Sequence, residues 1–228
     1  MNTVLAINKP KGPTSHDIID EIRRITGIQK VGHAGTLDPL AHGVLVVGIG
    51  RDATRQLAGI VQEEKEYIAQ LTLGQTSATD DAEGEKTTVA IKTIPDRDTV
   101  QSVLPTFVGR ISQVPPAYSA IKVQGIRAYR AARKRKPLNL QPRTVTIEQI
   151  EILSFAWPLL TLRVVCGPGV YIRSLARDLG EVLQTGAFLS DLKRTRVGQF
   201  TIETALSLET LNRNWHHEHL AGSKKPSA

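Results

Sequence analysis

The sequence predicts a single mixed α/β domain. Segments with apolar residues at helical spacing alternate along the chain with short segments whose apolar or alternating pattern is typical of strands. Of the 228 residues, 40% are hydrophobic and 22% charged, a balance typical of globular proteins with a sizeable core. No internal repeat or linker-like tract divides the chain. We therefore expect one domain over residues 1–211, followed by a polar, flexible tail over residues 212–228.

The N-terminal part predicts a strand, a helix and a loop. Apolar residues predict a strand from Thr3 to Ile7, and a turn with two prolines follows it. Thr14 and Asp17 have the spacing of a helix capping box, and isoleucines recur behind them at helical spacing. Residues 32–43 contain three glycines and a proline, which predicts a loop. The apolar run from Val44 to Ile49 then predicts a fully buried strand.

The middle of the chain alternates in the same way. A helix is expected from Asp52, as its cap, to Gln62, and a strand with two distinct faces from Glu66 to Leu73. The acidic, polar segment 76–88 lacks the ligand spacing of a calcium loop and predicts an exposed loop. A helix near residues 98–107 and a strand near residues 110–114 follow.

The second half contains a predicted hairpin and a helix. Strands are expected from Thr144 to Phe155 and from Leu159 to Cys166, joined at Trp157-Pro158. The helix from Val170 to Leu183 has an apolar face, and its two arginines lie one turn apart on another face.

Charge and apolar runs restrict the class of protein. Lys and Arg number 29 against 22 Asp and Glu, giving a net charge of +7, which favours a polyanionic partner. The longest apolar run, Val44–Ile49, is far short of the roughly 20 residues that a membrane helix needs. No secretory signal precedes Lys9-Pro10, so we expect no membrane association and a cytoplasmic location.

Metals and cofactors have little support in the sequence. The single cysteine, Cys166, supplies neither a disulfide nor a cysteine-based zinc cluster. The tail histidines His216, His217 and His219 form only a weak metal pattern, and we interpret them as a solvated tail. Neither a phosphate-binding loop nor a dinucleotide fingerprint is present, so we expect no metal and no cofactor.

Three residues allow both a structural and a catalytic interpretation. Asp38 begins an Asp-Pro pair, which most often turns the chain, but a carboxylate directly before a buried strand is also well placed for a nucleophile. Arg173 lies on a predicted helix and would keep such a carboxylate ionised. Tyr67, at the start of its strand, is either a core aromatic or a ring that stacks on an extracted base.

One stretch of the chain is strongly basic. Residues 122–143, here called the basic segment, contain eight Lys or Arg and no acidic residue. Such a run is either a solvated face or a surface for a phosphate backbone, and Tyr129 within it favours nucleic acid. The cations are Lys122, Arg127, Arg130, Arg133, Lys134, Arg135, Lys136 and Arg143.

Several segments, taken in order, resemble the TruB family of tRNA pseudouridine-55 synthases. The most specific is Gly-x-x-Gly-Thr-Leu-Asp-Pro within residues 32–41, which contains Asp38. The others are Lys9–Ser15, Lys65–Tyr67 with Leu73-Gly74, Pro115–Arg133, Tyr171–Leu175 and Arg194–Gly198. The resemblance implies a pseudouridine synthase catalytic fold, in which helices and loops flank a central, largely antiparallel mixed sheet.

The resemblance also implies an activity and roles for individual residues. The T-loop uridine of tRNA, at position 55, would be flipped out and isomerised without cofactor or metal. Asp38 would be the nucleophile or acid–base group, paired with Arg173. Tyr67 would stack on the flipped uracil, and Tyr171 and Leu192 would line its pocket.

Further residues would hold the RNA. His33 would occupy the space that the flipped nucleotide leaves. Lys9 and four cations of the basic segment, Lys122, Arg127, Arg130 and Arg133, would contact the tRNA T-arm. The enzyme would act as a monomer without an obligatory protein partner.

The chain departs from the family pattern at two positions and at its end. Asn8 and Arg55 stand where the family usually has Asp and Lys. Bacterial relatives usually continue into a C-terminal PUA-type RNA-binding domain, and the short segment after Phe200 predicts that this domain is absent. The basic segment would then carry more of the affinity.

Two other functions remain open at this point. One is the guide-RNA-dependent catalytic subunit of an H/ACA particle, although Leu40-Ala41 after the Asp-Pro pair fits the stand-alone branch better. The other is an RNA-binding module or tRNA-folding helper in which catalysis is lost or incidental.

Overall fold

The first strand and helix begin where local sequence signals place them. Strand β1 spans Thr3–Lys9 and helix α1 spans Ser15–Thr26. The Thr14 hydroxyl accepts a hydrogen bond from the Asp17 N–H at 3.1 Å, and the Asp17 carboxylate accepts one from the Thr14 N–H at 2.8 Å. The predicted capping box is therefore confirmed.

The computed structural model describes residues 2–134, 136 and 138–222, with side chains through Trp215.

The chain divides into two compact units. The first unit consists of Met1–Lys65 and Lys193–Ala228, and the second unit of Glu66–Leu192. One catalytic domain over residues 1–211 stays a prediction.

The first unit is built around one buried strand, β3 (Ala41–Ile49). It pairs antiparallel with β1 on one side, where Ile7 lies opposite Leu45. On β2 (Val31–Ala34), which also pairs with β3, His33 lies opposite Val47. The other elements are helix α2 (Arg51–Ile60), strand β13 (Phe200–Thr201) and helix α6 (Leu208–Gly222).

Three predictions for this unit need correction. The predicted loop 32–43 is loop only between β2 and β3, because four residues form β2 and β3 already begins at Ala41. Helix α2 begins after Gly50 without a side-chain cap, and Asp52 lies in its first turn, where it bonds Asn2 instead. The predicted polar tail is helical through Gly222, with Trp215 buried. The side chains of His216, His217 and His219 lie outside the described residues.

In the second unit, the order of the strands in the sheet differs from their order along the chain. Strands β4 (Lys65–Leu73), β11 (Leu159–Cys166), β10 (Arg143–Ala156) and β7 (Gly109–Gln113) lie side by side in that order. Burial alternates along β4, as its sequence predicts. Both β11 and β7 pair antiparallel with β10, which confirms the predicted hairpin and the mixed α/β class with a largely antiparallel sheet.

The remaining elements of this unit are short, apart from helix α5 (Ile172–Val182) and strand β12 (Ala187–Val197). The boundary between the two units falls within β12, and residues from Lys193 onward belong to the first unit. The short elements are β5 (Gln75–Ser77), β6 (Lys86–Thr88), α3 (Arg97–Val103) with a 3-10 turn over Leu104–Phe107, β8 (Lys122–Val123), β9 (Ile126–Arg127) and α4 (Ala128–Arg133). Among the helices of the described chain, none combines the length and apolar character needed to cross a bilayer.

Candidate active site

Asp38 lies on a loop whose backbone is tied to neighbouring elements. Residues 35–40, here called the aspartate loop, connect β2 to β3. The Ser15 hydroxyl at the start of α1 donates to the Leu37 carbonyl at 2.9 Å and accepts from the Leu37 N–H at 2.8 Å. On the other side of Asp38, the Gly12 N–H donates to the Pro39 carbonyl at 2.9 Å. The residues beside Asp38 are thus held in place, and Asp38 itself is half-buried.

Lys9, predicted to bind substrate, lies beneath the surface of the first unit. Its side chain is fully buried, and Nζ donates to the carbonyls of Ala41 at 2.6 Å and Pro10 at 3.0 Å. Burial lowers the pKa of Lys9 to about 8, against the opposing effect of the nearby Asp38 carboxylate. In this structure the ammonium group of Lys9 supports the chain after the aspartate loop, and its role in substrate binding stays a prediction.

Arg194, which the sequence placed only within a family motif, is also buried in this unit. It is 1% exposed, and its guanidinium donates to the carbonyls of Val44 at 2.7 Å and Gly35 at 3.0 Å. Residues two apart on a strand share a face, but this alternation does not single out Arg194, because it applies equally to Arg196, which is only half-buried.

His33 lies on β2 rather than on a loop. Burial and the neighbouring Arg194 charge lower the pKa of His33. Its Nδ1 is buried and has no hydrogen-bond partner among the described residues. A planar ring in which the neutral form is favoured is suited to contact with a base.

In the second unit, Arg173 is held by a buried carboxylate. The Arg173 guanidinium is 7% exposed and contacts Asp81 Oδ2 at 3.3 Å. It also donates to the carbonyl of Tyr118 at 3.0 Å. Asp81 is in turn fixed by Thr79, whose hydroxyl donates to Oδ1, and by the Glu83 N–H at 3.0 Å. This arrangement orients Arg173 through a carboxylate that the sequence did not single out.

The segment 76–88 is thus only in part the exposed loop that its polarity predicts. Strands β5 and β6 pair within it, and Asp81 between them is 3% exposed. Its neighbour Asp80 forms an ion pair with Arg177 at 2.9 Å, while burial raises the pKa of Asp80. Asp80 and Asp81 are drawn inward because two arginines of α5, one turn apart, pair with them.

The start of α5 is positioned by Gln113. Its amide donates to the Tyr171 carbonyl at 3.1 Å and accepts from the Tyr171 N–H at 2.8 Å. Tyr171, predicted to line a base pocket, is half-buried directly before α5. Tyr67 on β4 and Leu192 on β12 are buried at 7% and 8% exposure.

The basic segment presents its charges to solvent. Lys122, Arg127, Arg130 and Arg133 are all exposed, as the sequence predicted, whereas Arg135 lies outside the described residues. Tyr129 accepts a hydrogen bond from Arg130 at 3.3 Å, and the Arg133 guanidinium lies 5.7 Å from its ring centre. These side chains line an open surface cavity of about 1110 Å³.

The predicted site residues thus form two groups. The first unit contains Asp38, His33 and the supporting Lys9, and the second unit contains Arg173, Tyr67, Tyr171, Leu192 and the basic segment. The pairing of Asp38 with Arg173 stays a prediction. Within the described residues, no group of three or more His, Cys, Asp or Glu side chains is placed to hold a metal ion.

Two family models match this chain. The model for the TruB family pseudouridylate synthase N-terminal domain matches residues 23–172. The model for the tRNA pseudouridylate synthase B C-terminal domain matches residues 173–224.

Curated relatives match nearly the whole chain. A tRNA pseudouridine synthase B of Thermobifida fusca is 46% identical over 216 residues, covering 91% of this chain and 73% of the relative. One of Parabacteroides distasonis is 44% identical, covering 92% of this chain and 91% of the relative.

A solved structure supports the predicted fold. A chain in the crystal structure of a Cbf5-Nop10-Gar1 complex aligns with a TM-score of 0.75 at 32% identity, covering 97% of this chain. This chain spans 56% of that one, or about half its length. The predicted pseudouridine synthase fold is confirmed by this likeness. Together the matches establish that the chain belongs to the TruB family of pseudouridylate synthases, which are isomerases.

Proposed function

We propose that this chain isomerises the T-loop uridine of tRNA, at position 55, to pseudouridine without a cofactor. The observation that carries the proposal is the match, over more than nine-tenths of the chain, to relatives named tRNA pseudouridine synthase B. In this reaction the bond from uracil N1 to the ribose breaks and a bond from C5 to the same ribose carbon forms. The hydrogen on C5 leaves as a proton and N1 gains one, so no oxidant or reductant is needed.

Asp38 is the proposed nucleophile or acid–base group. Support comes from the hydrogen bonds that Ser15 and Gly12 make to the residues on either side of it. A fixed carboxylate loses little orientational freedom when it meets the reacting atom, which lowers the barrier. Arg173 is proposed to pair with it, and the contact of Arg173 with Asp81 supports this role because it orients the guanidinium.

Aromatic and apolar side chains are proposed to share the contacts that base flipping requires. His33 fills the space of the extracted nucleotide, and its lowered pKa supports a neutral ring at physiological pH. Tyr67 stacks on the uracil, while Tyr171 and Leu192 line the pocket. Extracting a base costs a few kcal/mol of stacking, and such ring contacts recover part of it.

The basic segment is proposed to bind the phosphates of the T-arm. Its exposed cations supply affinity that depends on salt, because each phosphate contact releases counterions. Site choice is left to the shape of the T-arm and to its loop bases.

The decisive experiment is tritium release from a tRNA transcript labelled at C5 of uridine. Wild type is expected to release one equivalent per tRNA, and Asp38→Ala none. Asp52→Ala is the matched control, since it removes an exposed carboxylate of α2 and is expected to release tritium at the wild-type rate. Release by Asp38→Ala would refute the catalytic role of this residue.

The likeness to a Cbf5 chain favours testing a second function, RNA-guided pseudouridine formation. A stand-alone enzyme acts on bare tRNA, whereas a guide-dependent subunit requires an added guide RNA. Tritium release from bare transcript would exclude the guide-dependent function.

A tRNA-folding role alongside catalysis is tested by Asp38→Asn, which would restore growth of a synthase-deficient strain if binding alone sufficed.

A further inference from the structure

The Arg194 guanidinium is buried beneath the aspartate loop. Arginine is rarely buried at 1% exposure unless its charge and its donors are matched by acceptors. Here Nε donates to the Val44 carbonyl at 2.7 Å and Nη2 to the Gly35 carbonyl at 3.0 Å. Both acceptors are backbone carbonyls, so the Arg194 side chain helps to hold the main chain in its path.

The two carbonyls lie on opposite sides of Asp38 in sequence. Gly35 precedes Asp38 by three residues, and Val44 follows it by six on β3. One rigid planar group thus joins the two ends of the segment that carries the carboxylate. The bonds that Ser15 makes to Leu37 hold the middle of the same segment, whereas Arg194 holds its ends.

Two glycines lie close to Arg194. Gly43 has φ +99°, and a Cβ placed on it would lie 2.2 Å from the Arg194 carbonyl oxygen. Gly35 has φ +88°, and a Cβ there would lie 3.5 Å from Arg194 Nη1. The Arg194 backbone is therefore packed tightly against the start of β3 at Gly43, and its guanidinium lies within ordinary van der Waals distance of Gly35 in the aspartate loop.

The charge of Arg194 also reaches the other polar groups of this unit. It lowers the pKa of both Lys9 and His33, in each case as a smaller effect than burial. Arg194 is therefore connected to the aspartate loop by hydrogen bonds and to its neighbours by charge.

We propose that Arg194 is a positioning residue for the isomerisation, which fixes the aspartate loop and so the direction of the Asp38 carboxylate. The inference rests on the proposed function, because it assigns Arg194 a role through Asp38 and gives it no contact with RNA. A displacement of about 1 Å at a catalytic group costs roughly 10²-fold in rate, which sets the size of the expected effect.

The test separates the chemical step from RNA binding. Arg194→Met, Arg194→Lys and the control Arg24→Met are compared in single-turnover tritium release at saturating enzyme, with tRNA Kd measured separately. Arg24 is matched because it is an arginine of the same unit whose side chain is 70% exposed. Arg194→Met is expected to slow release roughly 10²-fold per folded molecule, with tRNA Kd within about threefold of wild type. Arg194→Lys should recover about tenfold, since its single amine reaches one of the two carbonyls.

Each other outcome overturns the inference. A wild-type rate per folded molecule in Arg194→Met, even with a lower Tm, would make Arg194 purely structural. A parallel loss of tRNA affinity would make it a binding residue. If Arg194→Met does not fold, Arg194→Lys decides by the same criteria, with a roughly tenfold slower rate at unchanged Kd expected. Asp38→Ala in the same assay keeps the failures distinct, because release by that variant would overturn the proposed function itself.

Discussion

The aspartate loop and the basic segment use the same type of side chain in opposite ways. Around the aspartate loop, Lys9 and Arg194 are at most 1% exposed and donate to backbone carbonyls. In the basic segment, Lys122, Arg127 and Arg133 are exposed. One region uses cations to hold the chain, and the other presents cations to solvent.

The difference shows what burial does to a positive charge. Loss of hydration disfavours the charged form, which is why the pKa of Lys9 falls to about 8. Such a group is tolerated only where acceptors replace water, and the replacement fixes both partners. Exposed cations keep their hydration and adapt to a flexible polyanion. The aspartate loop is therefore expected to be sensitive to single substitutions, and the basic segment to be tolerant of them.

The largest effect is expected from Gly43→Ala. The new Cβ would overlap the Arg194 carbonyl oxygen at 2.2 Å, and the backbone has φ +99°, which L side chains rarely adopt. We expect a loss of about 3 kcal/mol or more in the free energy of unfolding, measured by chemical denaturation.

Gly59→Ala is the matched control for this substitution. Gly59 lies in α2 of the same unit, and a Cβ there meets nothing within 4 Å. A gain of up to about 1 kcal/mol is expected, because alanine is the better helix former. Equal stability changes in the two variants would show that the close approach at Gly43 is unimportant.

The next largest effect is expected from Ser15→Ala. This substitution leaves both the N–H and the carbonyl of Leu37 without their partner, at a site where Ser15 is 2% exposed. The free energy of unfolding should fall by about 1–3 kcal/mol, with a slower single-turnover rate. Ser102→Ala removes an exposed hydroxyl of α3 and should change stability by less than about 0.5 kcal/mol. A wild-type rate in Ser15→Ala would break the link between loop geometry and catalysis.

Local sequence signals were sufficient for much of the fold. The capping box of Thr14 and Asp17 and the hairpin of β10 and β11 depend on neighbours in the chain, and both are present as predicted. The alternation along β4 also required only the period of a strand.

The supporting residues of the site depend on contacts between distant parts of the chain. Arg194 and Arg196 are alike in sequence, but Arg194 is buried against carbonyls whereas Arg196 pairs with Glu64. Their roles differ because their side chains meet different partners from distant parts of the chain. Similarly, Asp81 lies in an acidic run, and its partner Arg173 is 92 residues away. No local pattern identifies such a pair, and the motif alone indicated Asp38.

A smaller effect is expected in the pH dependence of stability through Lys9. In the folded chain its pKa is about 8, below the usual value of 10.5 that applies when the chain unfolds. Between these values the unfolded state binds more protons, so this group makes stability rise with pH. The unfolding free energy of wild type minus that of Lys9→Met should increase by up to about 1.4 kcal/mol per pH unit above pH 8. A difference between wild type and Lys9→Met that does not change with pH would contradict the lowered pKa of Lys9.

The smallest effects are expected from single substitutions in the basic segment. Arg127→Ala and Arg133→Ala each remove one exposed cation, so each should weaken tRNA binding only a few-fold. Each should also reduce the slope of log K against log salt concentration by about 0.7 to 0.9, the value for one phosphate contact. The single-turnover rate at saturating enzyme should stay at the wild-type value, because the segment contributes affinity and not geometry. Arg24→Met controls for the loss of net charge and should leave the slope unchanged. A slower single-turnover rate at saturating enzyme in either arginine variant would show that the basic segment, like the aspartate loop, positions reacting groups. The proposed difference between the two regions would then be wrong.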